Sequence, residues 1–297
     1  MHTFRLLKSK IAGITSIIGL TALILIHIGA GKKFTIQSYD PPGTVKIDTA
    51  LFMDQSECTN FNWLEYLYWI NRLYGKKSPE YIAALPDTTL WEFESEELQG
   101  YKTNHFRHPA YRDYPIVGLT YQQMTAYCNW RSDRVCEYML VRLGKIEWDT
   151  NQTATSHFTI EGYLNGSYGN YQPSADFTKI PNYYLPNYNE WLKAEKYAQS
   201  IYSKRLTNQK RKSPDQFYHL FDGYEGTHPV SPSRRYTVKN AIYNLQRNVS
   251  EQLADSTQMV GDNWKKSSSL NEDQNVFYQP APSVAKGFRC AFQWKSI

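Results

Sequence analysis

The chain has few cysteines, and none stand in a redox or metal-binding spacing. Its 297 residues include four, Cys58, Cys128, Cys136 and Cys290, and no Cys-x-x-Cys pair occurs. Without that pair, neither a structural zinc site nor a thioredoxin-like redox motif is indicated. An even number of cysteines favours disulfides over reactive thiols if the chain is exported and rich in loops.

The signatures of several common protein classes are also lacking. There is no Gly-x-Ser-x-Gly nucleophile elbow, so a serine hydrolase of that type is not indicated. No glycine-rich phosphate loop follows a strand-like segment. The densest basic run, Ser203–Ser213, contains one large apolar residue and no aromatic residue. Nucleic-acid binding needs a basic stripe with stacking rings or a known module, so we predict no nucleic-acid partner.

Aromatic residues, in contrast, are abundant. They make up 15% of the chain and include 24 tyrosines and eight tryptophans. Rings with polar tips can build a core where regular helices and strands are scarce. The net charge of +5 is mildly basic, and the length suits one large domain or two small ones.

The N-terminus has the pattern of an export signal. Three basic residues within the first ten precede an apolar run that lasts until Lys32. A basic segment before such a run is typical of a signal, and this run reaches the length of a membrane span. We predict that residues 1–31 form a signal peptide or an uncleaved signal anchor, and that 32–39 form a linker. Residues 40–297 are then an extracytoplasmic domain, in the periplasm or at the cell surface, single-pass anchored or secreted.

Local signals predict both strands and helices within this domain. Residues 39–57 are short and strand-like, and a helix is predicted from Thr59. A second helix begins at Thr120, the first residue of a capping box, and ends at Gly144. A third begins at Asn187, where a similar box ends in glutamate. Long stretches rich in Tyr, Asn, Gly and Pro separate these elements, so the predicted class is α+β with much irregular structure.

Several short motifs follow one another along the domain. They are "MDQSECTN" (53–60), "YPIVGLTYQQMTAYCNWRS" (114–132), "YYLPNYNEWLKAEKYA" (183–198), "IYNLQRNVSEQLAD" (242–255), "MVGDNW" (259–264) and "GFRCAF" (287–292). In this order and spacing they resemble the formylglycine-generating enzyme family, also called the sulfatase-modifying factor family. The resemblance implies a variant of the C-type-lectin-like fold over residues 40–297.

The resemblance also implies how the cysteines are used. In some members the cysteine of the Gly-Phe-Arg-Cys motif bonds to the cysteine of the Tyr-Cys-x-Trp motif, so Cys290 is expected to pair with Cys128. Closing so long a loop contributes roughly 4 to 5 kcal/mol in the chain-entropy model. Cys58 and Cys136 remain, either as a second disulfide or as buried free thiols.

The family's catalytic pair has no counterpart here. Its enzymes place two cysteines just after Gly-Gly-Ser-Trp, where they bind copper(I) and react with the substrate thiol. The matching stretch is "GDNWKKSSSLNE", and lysine and serine lack the softness that copper(I) prefers in its ligands. We therefore expect no copper and no formylglycine-generating chemistry. The residues of this degenerate segment that we single out are Asn263, Trp264, Lys265, Lys266 and Ser269.

A calcium site of the family is the remaining candidate. The family's Asn-x-x-Gly-Asn-Val-x-Glu block implies side-chain ligands from Asn244 and Glu251 and carbonyl ligands from Arg247 and Val249. Calcium prefers hard oxygen ligands, so the donor set is chemically reasonable. Arg247 replaces the family's glycine and Gln252 its tryptophan, and Arg247 brings a positive charge near the ion. The alternative is a loop shaped by hydrogen bonds of Asn244 and Glu251 alone.

Two functions are compatible with these observations. The first is an exported, membrane-tethered, non-catalytic member of the family that binds an unknown protein or polar ligand, as in a bacterial envelope, gliding or secretion assembly. The second is a metal-dependent oxidase-type enzyme of the formylglycine-generating or non-haem-iron group with an unrecognised ligand set, such as His105, His108 and His157.

Overall fold

The computed structural model describes residues 39–175, 177–208, 240–246, 248–265 and 276–297, and all that follows concerns these residues. The helices are α1 (Asn60–Tyr74), α2 (Pro79–Ala83), α3 (Tyr101–Asn104), α4 (Tyr121–Arg142), α5 (Ile160–Leu164) and α6 (Tyr188–Asn208). The strands are β1 (Thr44–Lys46), β2 (Phe52–Asp54), β3 (Lys179–Tyr184), β4 (Ser250–Gln252), β5 (Gln258–Val260), β6 (Val276–Tyr278), β7 (Lys286–Gly287) and β8 (Ala291–Ser296). Short 3-10 helices span Thr88–Phe93, Glu96–Leu98 and Pro109–Tyr111.

The three predicted helices are confirmed. Thr59 caps α1, and its hydroxyl accepts a hydrogen bond from the backbone N–H three residues later. Thr120 caps α4 in the same way, with Gln123 completing the box. At the start of α6, the Asn187 side chain accepts from the N–H of Glu190 at 3.0 Å. Each box satisfies N–H groups that the first helical turn leaves without partners.

The strands form two four-stranded sheets. The first has the order β1-β2-β8-β3 and is antiparallel throughout. The second has the order β6-β5-β4-β7, in which β4 and β7 run parallel. In the first sheet Phe292 of β8 lies opposite both Phe52 and Tyr183, and its ring contacts theirs edge to face. Such cross-strand aromatic pairs stabilise a sheet and hold its register.

The two long helices α4 and α6 cover parts of this framework. Helix α4 contacts β3, where the Ser132 hydroxyl accepts a 2.8 Å hydrogen bond from the buried N–H of Tyr183. Helix α6 buries Trp191 and Ala194 in an apolar cluster with residues of β2, β5 and β8. Mixed helices and strands with long irregular connections confirm the predicted α+β class.

Some predictions fall wholly or partly outside the described residues. These are the signal segment 1–31, all of the linker 32–39 except Tyr39, and most of the basic run Ser203–Ser213. Within the described ranges, no helix has both the length and the apolar character that a bilayer crossing requires. Export and tethering therefore stay predictions.

Candidate functional site

A buried ion pair joins the motifs of the C-terminal half. Glu251 of β4 and Arg289, between β7 and β8, are both completely buried. The Arg289 Nε lies 2.7 and 2.8 Å from the two carboxylate oxygens, and the Trp191 indole donates to one of them at 3.1 Å. The guanidinium also donates to the backbone carbonyls of Asp54 and Tyr243. Burial raises the pKa of Glu251, although Arg289 opposes the shift.

A second buried carboxyl lies beside this pair. Glu57, in the loop after β2, accepts hydrogen bonds from the side-chain amides of Asn244 and Asn248 at 3.2 and 2.8 Å. Both asparagines have positive φ angles, 60° and 81°, a region that asparagine tolerates better than most residues. Burial raises the pKa of Glu57 to about 7, with Arg289 opposing and Glu251 adding to the shift. Glu57 therefore organises the loop that carries the predicted calcium ligands.

The arrangement is not prepared for calcium. The Glu251 carboxylate is held by Arg289 and Trp191, so the guanidinium already neutralises the charge that would attract a cation. The Asn244 amide donates to Glu57. Val249 is fully buried and Arg247 is outside the described residues, so calcium binding stays a prediction.

The four cysteines are all buried free thiols. The sulfur atoms of Cys128 and Cys290 face each other at 3.4 Å. Cys58 lies beside the same strand connection, since its N–H donates to the carbonyl of Phe288. Burial raises the pKa of Cys58, Cys128 and Cys136 above that of an ordinary thiol. The Cys128–Cys290 disulfide and the alternatives for Cys58 and Cys136 stay predictions.

The described part of the degenerate segment is folded against the chain between α2 and α3. The Trp264 indole stacks on Trp91 with ring centroids 6.0 Å apart, and its N–H donates to the carbonyl of Val284. The Lys265 ammonium forms an ion pair with Glu94. The Asn263 side chain donates to the buried Ser250 hydroxyl at 2.8 Å and accepts from the N–H of Lys265. Lys266 and Ser269 lie outside the described residues.

The candidate histidines are held by separate structural contacts. His105 is buried, and its ring packs between those of Trp91 and Tyr101. Burial lowers the pKa of His105 to about 4. His108 is exposed and caps a 3-10 helix through Nδ1, while His157 packs against the ring of Tyr74. They form no metal-binding group with one another in the part of the chain that the structure describes.

Sequence reasoning missed the charged contacts that surround these residues. The sequence patterns place Glu57 and Arg289 within motifs but assign neither of them a buried charged contact. The Asp54–Arg131 ion pair, 2.7 Å long, was not anticipated either. One feature of the sequence does indicate such contacts. A charged residue between apolar neighbours in a short strand-like segment requires a buried partner of opposite charge.

Comparison with known proteins places the whole arrangement in a family. The profile of the sulfatase-modifying factor enzyme 1-like domain matches residues 20–294. No curated protein matches significantly. The crystal structure of CarF has a TM-score of 0.39 and 13% identity, covering 82% of this chain and 86% of that one. Treponema denticola variable protein 1 has a TM-score of 0.38 and 12% identity, covering 88% and 98%.

The family match spans nearly the whole described domain, including Glu57, Glu251, Arg289 and all four cysteines. It confirms the resemblance seen in the motifs and the α+β fold that the family shares. The chain belongs to the sulfatase-modifying factor family.

Proposed function

We propose that the chain is an exported, membrane-tethered, non-catalytic member of this family that binds a protein or polar ligand, as a part of a bacterial envelope, gliding or secretion assembly. The main observation in favour of a non-catalytic role is the burial of all four cysteines, each of which is at most 4% exposed. A thiol that forms a mixed disulfide with a substrate or holds copper(I) beside it must be accessible and deprotonated. Burial that raises the thiol pKa works against both requirements.

The degenerate segment supports a binding role in a different way. Trp264 is anchored on Trp91, while the Lys265 side chain is 37% exposed and forms an ion pair at the protein surface. A lysine ammonium is a flexible point charge with three donors, suited to an anionic or polar partner. To bind such a partner, the Lys265 ammonium would have to leave or share Glu94, whose side chain is only 13% exposed.

The decisive experiment incubates the purified full chain with a sulfatase-type cysteine peptide, copper and oxygen, followed by peptide mass spectrometry. We expect no formylglycine product, whereas an active family member run in parallel converts the peptide. A clear product would contradict the proposal. Bound iron or copper in stoichiometric amount, measured by elemental analysis of the purified protein, would favour the alternative of a metal-dependent oxidase-type enzyme.

The binding role has its own test. Lys265→Ala is expected to affect binding to a partner identified by crosslinking more than it affects stability, which the melting temperature reports. Lys102→Ala is the control for loss of a surface lysine, because Lys102 forms an exposed ion pair with Glu92. If the Lys265→Ala variant and the unmodified chain bind the partner equally well, Lys265 is not part of the binding surface.

Calcium is a separate proposal that rests on the family resemblance alone. For Glu251 to bind the ion, Arg289 would have to release the carboxylate. A ligand that binds only the folded state raises the melting temperature with its concentration. A melting temperature that rises with calcium and falls with a chelator would support the site, and identical curves would contradict it.

A further inference from the structure

A cavity of about 390 Å³ opens between the loop after β2 and the helices α1 and α4. Its volume lies near the lower end of the range found for small-molecule sites. The aromatic rings of Tyr127 and Trp130 line it, together with Val135. Cys58, one of the four buried cysteines, also lies in its lining, but the cavity shares no residue with the Lys265 surface.

The basic groups of the cavity come from α4. Arg131 and Arg134 are three residues apart, and side chains at this spacing project from the same face of a helix. Arg131 donates to Asp54 and to the carbonyl of Pro42, both at 2.7 Å. Arg134 donates to Glu137 and to the carbonyl of Phe158. These contacts use two of the five N–H groups of each guanidinium, so donors remain for a ligand.

The acidic groups come from other elements. Asp54 and Glu57 lie at the end of β2 and in the loop after it, and are 6% and 2% exposed, while Glu65 is an exposed residue of α1. The Oδ1 atom of Asp54 is buried and has no hydrogen-bond partner among the described residues. The buried indole N–H of Trp130 likewise has none there. Unpaired buried polar atoms are uncommon in native proteins and call for an explanation.

A ligand that carries both charges matches this arrangement better than one that carries a single charge. A simple anion would face three carboxyl groups, and a simple cation would face two guanidiniums. Complementary charges favour the correct partner mainly by disfavouring the wrong ones. The rings of Tyr127 and Trp130 add an apolar wall for an apolar side chain.

We propose that this cavity is a binding site for a small zwitterion of the free α-amino acid class with an apolar side chain. The ligand carboxylate contacts Arg131 and Arg134, and the ligand ammonium contacts the carboxyl groups of the β2 loop and α1. When the ligand binds, small movements of Asp54 and Trp130 allow the Oδ1 atom of Asp54 and the indole N–H of Trp130 to form hydrogen bonds.

The test is calorimetric titration of the purified full chain with L-phenylalanine after a thermal-shift screen of the common L-amino acids. We expect at least one apolar amino acid to raise the melting temperature and to bind. Phenethylamine lacks the carboxylate and 3-phenylpropanoate lacks the amine, so each should bind at least tenfold more weakly than L-phenylalanine. If no amino acid in the screen binds, or if either analogue binds as well as its parent, the proposal is overturned.

Two variants separate binding from folding. Trp130→Phe replaces the indole with a smaller aromatic ring that lacks the N–H and is expected to weaken binding about tenfold, the effect of one lost hydrogen bond. Glu65→Gln removes an exposed carboxylate and is expected to weaken binding about threefold. Glu96→Gln, an exposed glutamate outside the cavity, is the matched control and should bind like the unmodified chain. Unchanged affinity in both cavity variants would contradict the assignment.

Discussion

Buried charged side chains cannot be removed singly without a large loss of stability, and Glu251 is the clearest case. Replacing it with alanine leaves the Arg289 guanidinium buried without a counter-charge. We expect Glu251→Ala to lower the free energy of unfolding by about 3–5 kcal/mol. Denaturant unfolding of the variant and the unmodified chain measures the loss.

A double variant provides the control for this prediction. Glu251→Leu together with Arg289→Met removes both charges, so it should recover a substantial part of the stability that Glu251→Ala loses. A loss in Glu251→Ala that appears with calcium and vanishes with a chelator would instead assign the main role of Glu251 to the metal.

His105 makes stability depend on pH. Its pKa is about 4 in the folded protein and about 6.5 when unfolded, so the folded state disfavours protonation. The unfolded state therefore binds more protons at this group as pH falls from about 6.5 to 4, so the contribution of His105 to stability is lost over that window, whereas Glu57, with a pKa raised to about 7, contributes in the opposite direction. The expected loss from this group is roughly 3 kcal/mol.

The measurement is chemical unfolding at a series of pH values. His105→Phe keeps a ring in the aromatic cluster, and its stability relative to the unmodified chain should rise by roughly 3 kcal/mol as pH falls from 6.5 to 4. His108→Asn preserves a capping side chain at an exposed histidine, so it should keep the dependence of the unmodified chain. An identical pH profile for His105→Phe and the unmodified chain would contradict the prediction.

Among the elements, the turn before the degenerate segment depends on a glycine. Gly261 has a φ of +79°, and a Cβ atom there would lie 2.7 Å from the carbonyl oxygen of Leu245. Gly144, after α4, has a similar φ of +67° but open space around it. We expect Gly144→Ala to cost about 1 kcal/mol and Gly261→Ala about 1–3 kcal/mol more, because the second adds a backbone clash to the strain.

Thermal unfolding of the two variants tests this comparison. Gly261→Ala should also disturb the stacking of Trp264 on Trp91, which the tryptophan fluorescence spectrum reports. Equal destabilisation by the two substitutions would show that backbone strain alone decides the effect at Gly261.

The elements differ in how far the sequence predicts them. The starts of α4 and α6 could be predicted because a capping box lies within four consecutive residues, and α1 could be predicted from the helical spacing of its apolar residues. The Glu251–Arg289 pair spans 38 residues and the Asp54–Arg131 pair 77, so both depend on how distant elements pack. The cavity lined by Arg131 and Arg134 could not be predicted for the same reason.

At the scale of the whole molecule, the family motifs predicted the fold because they mark the positions where its distant parts meet. "MDQSE", "NVSE" and "GFRC" supply Asp54, Glu57, Glu251 and Arg289 to one buried network. The motifs did not predict what Trp264 and Lys265 contact. The chain that packs against them, around Trp91 and Glu94, lies in none of the motifs.

A covalent link across the molecule is the last prediction. Cys128 and Cys290 are 162 residues apart in the chain and their sulfur atoms are 3.4 Å apart. Joining them is expected to stabilise the oxidised protein by roughly 5 kcal/mol over the reduced protein in the chain-entropy model. Peptide mapping under non-reducing conditions should recover the linked peptides. Alkylation of Cys290 in the folded, oxidised protein would contradict the pairing.

The position of β8 has a consequence for how the protein is made. It is the last strand of its sheet along the chain, yet it lies in the middle, between β2 and β3. During synthesis the earlier strands emerge without their central neighbour and stay unpaired along that edge until β8 has left the ribosome. Strands so far apart in sequence pair slowly, and strand edges that remain unpaired promote aggregation. The first sheet thus stays incomplete until β8 has been made, and until then a chaperone that binds unpaired strand edges would limit aggregation.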